Sequence, residues 1–148
     1  MPVPPLTPVP SAAAQGATVL VAEDNAINRV VITAMLERMG LTPVIAEDGQ
    51  QAAETLERLQ LGGTPPALVF MDMQMPVLDG LAATQRIRAW EKSHNLARVP
   101  IIALTANAYA EDRERCLGVG MDDFLAKPVD FGQMQALIDR WMRATSTP

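Results

Sequence analysis

The sequence predicts an α/β fold, a doubly wound five-stranded parallel sheet with helices on both faces. Three observations predict it. The apolar runs Val19-Leu20-Val21-Ala22, Leu68-Val69-Phe70-Met71 and Ile101-Ile102-Ala103-Leu104 are too short for helices and read as strands buried on both sides. Helical periodicity fills the intervals, so strand and helix alternate five times, as parallel strands joined by right-handed crossovers require. The strands also end in chemistry. Glu23-Asp24, Asp72, Thr105 and Lys127-Pro128 each follow an apolar run, at the end where open α/β sheets gather their functional groups.

Taken in order, 18–22 is the first strand, and Asn25 caps a helix that Gly40 stops near Met39. A shorter strand spans 42–46. Asp48 or Gly49 then opens a helix carrying Ala52, Ala53, Leu56 and Leu59, ended by Gly62-Gly63-Thr64-Pro65-Pro66. The third strand is 67–71, and Asp79 or Gly80 leads into a helix running to about Glu91. The fourth strand, 100–104, precedes a helix from about Ala110 to Leu117. The fifth is 123–126. Asp130 caps a last helix in which Met134, Leu137, Ile138 and Trp141 follow the i, i+3, i+4, i+7 rule. The first helix carries more apolar residues than one buried stripe needs. Val31, Ile32, Met35, Leu36 and Met39 form one arc, while Ile27, Val30 and Ala34 form another, either covered by a neighbouring helix or open for docking.

A chain of 148 residues, 49 % hydrophobic but only 4 % aromatic, holds one domain with an aliphatic core. The prolines at 2, 4, 5, 8 and 10 mark residues 1–16 as a flexible Pro/Ala-rich linker or tail, which leaves 17–146 as the domain. A net charge of −5 argues against a nucleic-acid partner. Cys116 has no second cysteine to pair with, no apolar run is long enough to span a bilayer, and the first residues do not resemble a secretory signal. The expectation is a cytoplasmic domain without direct membrane contact, either free-standing or at the cytoplasmic end of a larger, membrane-anchored protein.

Glu23, Asp24 and Asp72 would repel one another unless a cation neutralises them. Oxygen ligands without histidine or a second cysteine favour a hard ion, Mg2+. Lys127 adds an ammonium and Thr105 a hydroxyl, and together these groups suit a phosphoryl group, with the Asp72 carboxylate as the nucleophile. Each residue also has an ordinary reading, as a helix cap or a turn. The combination at four strand ends is what argues for a site.

These segments closely resemble the receiver domains of two-component response regulators. The matching segments are Val-Leu-Val-Ala-Glu23-Asp24-Asn, Phe-Met-Asp72-Met-Gln-Met-Pro76 with Asp79-Gly80, Ile-Ala-Leu-Thr105-Ala106 and Asp-Phe124-Leu-Ala-Lys127-Pro128. The resemblance runs from about Thr18 to Met142. Glu23-Asp24-Asn25-Ala-Ile-Asn28, the segment from Ala106 to Arg113, Cys116 and Gly120-Met-Asp-Asp123 look most like the receivers of hybrid histidine kinases.

The resemblance implies a flavodoxin-like sheet of order 2-1-3-4-5. It implies Mg2+ held by Asp24, Asp72 and the main-chain carbonyl of Gln74, with Glu23 acting through a metal-bound water. Asp72 would accept phosphate from a phosphohistidine, and Lys127, Thr105 and the Ala106 amide would hold the phosphoryl oxygens. Thr105 and Phe124 would form the conformational switch, and the Lys127-Pro128 bond would be cis. The donor, a histidine kinase dimerisation domain or a histidine phosphotransfer protein, would dock on Ile27, Val30 and Ala34. Such a domain catalyses its own phosphorylation and dephosphorylation without being an enzyme toward another substrate. A hydrolase of the haloacid dehalogenase type would need a second aspartate at position 74, which is Gln74. A binding module that never takes phosphate would be expected to have lost a site residue.

Overall fold

The computed structural model describes residues 17–146 apart from 74, 76 and 107–109, and gives no side-chain description for 110–113 and 142–146. The N-terminal linker expectation, the carbonyl of Gln74 and positions 107–109 of the Ala106–Arg113 segment lie outside the described residues. Five strands and five helices alternate: β1 (Thr18–Ala22), α1 (Ala26–Arg38), β2 (Thr42–Ala46), α2 (Gly49–Leu61), β3 (Leu68–Asp72), α3 (Gly80–Ser93), β4 (Ile101–Thr105), α4 (Ala110–Gly118), β5 (Asp123–Ala126) and α5 (Phe131–Ser146). All pairings are parallel, in the order β2-β1-β3-β4-β5.

Period-two alternation along each strand divides the core into two layers. Val21, Phe70 and Leu104 face α1 and α5, where Ile32, Leu36, Met134 and Ile138 cover them. Leu20, Val69, Met71 and Ala103 face the other way, toward Ala52, Leu56, Ala83, Ile87 and Cys116. Every residue of β3 and β4 is buried, as the unbroken apolar runs required. Side-chain caps fix the helix starts. Asn25, Asp48 and Asp79 accept from the amides of Asn28, Gln51 and Ala82 at 3.0, 2.8 and 2.8 Å.

Two boundaries fall one residue later than the apolar pattern suggests, because the ladder continues into the polar residues. Asp72 pairs with Leu104, and Thr105 with Ala126. On α1, Val31 does not join the buried arc. It is 41 % exposed, on the outer side with Ile27 and Val30 at 74 % and 69 %. A step of about 100° from Ile32, itself buried, carries it off the sheet-facing stripe.

Candidate functional site

The carboxyl ends of β1, β3, β4 and β5 meet in an open cleft of about 750 Å3, lined by Glu23, Asp24, Asp72, Thr105, Ala106 and Lys127 among others. Parallel pairing brings them together: once β1, β3, β4 and β5 are in register, the residues after each apolar run share one rim. Glu23 leaves β1 tied to β2 by its amide, which donates to the Ala46 carbonyl at 3.1 Å. Its side chain is fully buried and accepts from the Asn25 amide at 3.1 Å. Asp72 ends β3 and is 4 % exposed. Gly80 packs directly on its main chain, and a Cβ there would collide with the Asp72 carbonyl. Glycine at 80 therefore sets how closely α3 can approach the rim.

Carboxylate oxygens of Glu23, Asp24 and Asp72 lie within 4.8 Å of one another. The Lys127 ammonium sits 3.0 Å from Glu23 Oε1 and 3.0 Å from Asp72 Oδ2. The peptide bond between Lys127 and Pro128 is cis, and the Lys127 amide donates to the Thr105 carbonyl at 2.8 Å, locking β5 to β4 beside the cleft. Thr105 is buried at the end of β4 and Phe124 is half-buried against the layer that includes Cys116. Cys116 in turn donates to Met73 Sδ at 3.3 Å.

Charge decides the states of these groups. Burial alone would push the Glu23 carboxyl up, but the Lys127 ammonium and the hydrogen bond from the Asn25 amide help hold it below its ordinary value. Burial would likewise lower Lys127, yet Asp72 and Glu23 raise it, so it stays charged. The Lys127 ammonium pairs with two of the three carboxylates, Glu23 and Asp72, and carboxylates predominate in the cluster. Glu23 Oε1, close to the ammonium but not aligned for a hydrogen bond, is a buried oxygen without a hydrogen-bonding partner. An all-oxygen cluster with surplus negative charge and an unsatisfied buried oxygen fits a Mg2+ ion and one or more of its waters.

The family model of the response regulator receiver domain matches residues 19–139. The chain belongs to that family. This receiver is 37 % identical over 132 residues to the sensor protein GacS of Pseudomonas syringae pv. syringae, covering 89 % of this chain and 14 % of that protein. Among solved structures it is similar to the receiver domain of the sensor histidine kinase PA1611 from Pseudomonas aeruginosa PAO1, which has a magnesium ion coordinated in its active-site cleft. Identity there is 45 %, over 86 % of this chain and 98 % of that one, with a TM-score of 0.74. It also resembles the Saccharomyces cerevisiae receiver of Ssk1 in complex with the histidine phosphotransfer protein Ypd1, at 31 % identity, 90 % and 93 % coverage and a TM-score of 0.80. The chain is thus a receiver domain of two-component signalling, and it spans a small part of the curated relatives it matches.

The receiver brings Glu23, Asp24, Asp72, Thr105 and Lys127 to one cleft. Phe124 is not among the residues lining the cleft; on β5 it pairs with Ala103, two residues before Thr105 on β4. Ile27, Val30 and Ala34 are exposed on α1, whose Asn28 reaches the cleft wall. Sequence reasoning passed over Arg115, which also lines the cleft, and Arg29, whose guanidinium bonds the main chain of the acidic pair. Neither stands at a strand end, the signal that marked the others.

Proposed function

We propose that the domain comprising 17–146 accepts a phosphoryl group on Asp72 from a phosphohistidine. Asp24, Asp72 and the main-chain carbonyl of Gln74 would hold Mg2+, and Glu23 would act on it through a water. When bound, the ion neutralises the carboxylates and the phosphoryl oxygens that approach them. The Asp72 carboxylate oxygen attacks phosphorus, the phosphorus–nitrogen bond breaks, and its electron pair stays on the donor imidazole. Lys127, Thr105 and the Ala106 amide hold the phosphoryl oxygens, so the chain promotes its own phosphorylation and, with water, its own dephosphorylation. Thr105 and Phe124 carry the resulting change of conformation.

One observation carries the reading: the Lys127 ammonium lies 3.0 Å from two carboxylates of a three-carboxylate cluster at the strand ends. Such a charge arrangement suits a dianionic group bound together with a dication. The donor is a histidine kinase dimerisation domain or a histidine phosphotransfer protein docking on Ile27, Val30 and Ala34. The setting is cytoplasmic, and no helix among the described residues is long and apolar enough to cross a membrane. The resemblance to hybrid-kinase receivers makes such a kinase the parent we propose.

Incubation with a labelled phosphohistidine donor tests the assignment. The wild-type chain acquires label and Asp72→Asn stays at background; full labelling of that variant would move the acceptor elsewhere. Docking has its own test. Val30→Glu slows transfer from the protein donor about tenfold while phosphorylation by acetyl phosphate is unchanged, since a charge buried at an interface costs more than about 1.4 kcal/mol. Equal slowing with both donors would refute that face.

A further inference from the structure

The segment between β1 and α1 presents two of the three acidic side chains, yet it has no regular structure of its own. What holds it is visible in its hydrogen bonds. The Glu23 amide is anchored on β2, and the Asn25 amide bonds the Glu23 side chain. The carbonyls point the other way, to Arg29. One guanidinium nitrogen, Nη1, donates to the Glu23 carbonyl at 3.1 Å and to the Asp24 carbonyl at 2.9 Å. Arg29 is half-buried in the first turn of α1, where its own amide donates to the Asn25 carbonyl at 3.0 Å. The helix thus reaches back and grips the two peptide units that aim Glu23 and Asp24.

We propose that Arg29 is a positioning residue for the cation site, holding the acidic pair in its binding geometry before the ion arrives. This rests on the reading of the cluster as a Mg2+ site. Its placement is otherwise paradoxical. A fixed positive charge beside a site for a dication repels that dication, and acting through charge alone Arg29 would weaken binding. The hydrogen bonds act in the opposite sense. They fix the main chain, so less conformational freedom is lost when the carboxylates close on the ion. The two roles differ in sign, and the sign can be measured.

The experiment compares the full chain with Arg29→Ala, Arg29→Gln and Arg29→Lys, with MgCl2 as the titrant in calorimetry and amide hydrogen exchange recorded without metal. The positioning role predicts that Arg29→Ala weakens Mg2+ binding about tenfold, in line with other groups that orient metal ligands. It also predicts faster exchange of the Asn25 amide in the metal-free protein and partial recovery of affinity in Arg29→Lys, which keeps a donor. Arg29→Gln removes the charge but keeps an amide donor, and it should bind Mg2+ no less tightly than Arg29→Ala. Unchanged or tighter binding in Arg29→Ala, with unaltered exchange at Asn25, would overturn the proposal while leaving the cation site intact. A wild-type chain that takes up no Mg2+ would instead overturn the reading of the cluster itself.

Discussion

Two charge clusters sit at opposite ends of the sheet, and they are built on opposite terms. At the amino end of β4 and β5, Arg88 donates to Glu91 at 2.8 Å, to Asp122 at 2.7 Å, and to the carbonyls of Val99 and Gly120 at 2.8 Å each. Arg98 also donates to Asp122, at 2.8 Å, and the Ile101 and Val99 amides donate to Asp122 and Glu91. Two cations meet two carboxylates, and the buried oxygens are bonded. At the carboxyl end, three carboxylates crowd together, the Lys127 ammonium pairs with only two of them, Glu23 and Asp72, and Glu23 Oε1 is left without a hydrogen bond. A matched cluster holds elements together. An unmatched one stores repulsion that a ligand can relieve, and here the repulsion marks the site.

The contrast is sharpest in stability. Arg88→Met leaves the buried Glu91 without its cation and Asp122 with Arg98 alone, and should destabilise the fold by about 3–5 kcal/mol, measured by urea unfolding. A cost below about 1 kcal/mol would mean that the matched cluster is not structural. Neutralising the other end should act in reverse. Asp72→Asn relieves like-charge repulsion and should stabilise the metal-free chain by about 0.5–2 kcal/mol, the usual gain when a functional compromise is removed. Mg2+ at a hundred times its Kd should stabilise the wild type by about 2.7 kcal/mol and leave Asp72→Asn almost unmoved. A destabilised Asp72→Asn would erase the distinction between the two ends.

The smallest effect is on the acid side. Glu23 is held below its ordinary value of 4.5. Its ionised form therefore adds stability that is present above that pH and lost as pH falls through the folded value. Between pH 6 and 3 the melting temperature of the wild type should fall more steeply than that of Glu23→Gln. Parallel profiles would show that Lys127 and the Asn25 amide do not favour the ionised form. Lys127 makes the opposite contribution at the alkaline end. Raised above 10.5, it adds stability that disappears only as pH climbs through its folded value.

Both the sheet and the acidic rim could be read from residue order, because each depends on local pattern. Apolar runs bounded by turn residues define strands, and alternation with helices imposes parallel pairing, so the side chains after each run must converge. Phe70 and Leu104 fell in the core for this reason. The details that escaped depend on contacts between distant segments. Asp72 joins β3 only because β4 pairs with it through Leu104. Val31 looked like a core residue until the axial rotation of α1 on the sheet was known. Arg88 and Asp122 are 34 positions apart, and no local pattern links them. Arg29 gave no warning either, since a lone arginine in a first helical turn has many uses and only the folded loop selects one.

The central claim is that the unmatched rim is a magnesium-dependent phosphoacceptor site. Its most direct test is to phosphorylate the chain with acetyl phosphate, with and without Mg2+, and to locate the modified side chain by reductive trapping and mass spectrometry. The account predicts modification of Asp72 alone, and only when Mg2+ is present. Modification of Glu23 or Asp24 instead, or equal modification in chelator, would contradict it.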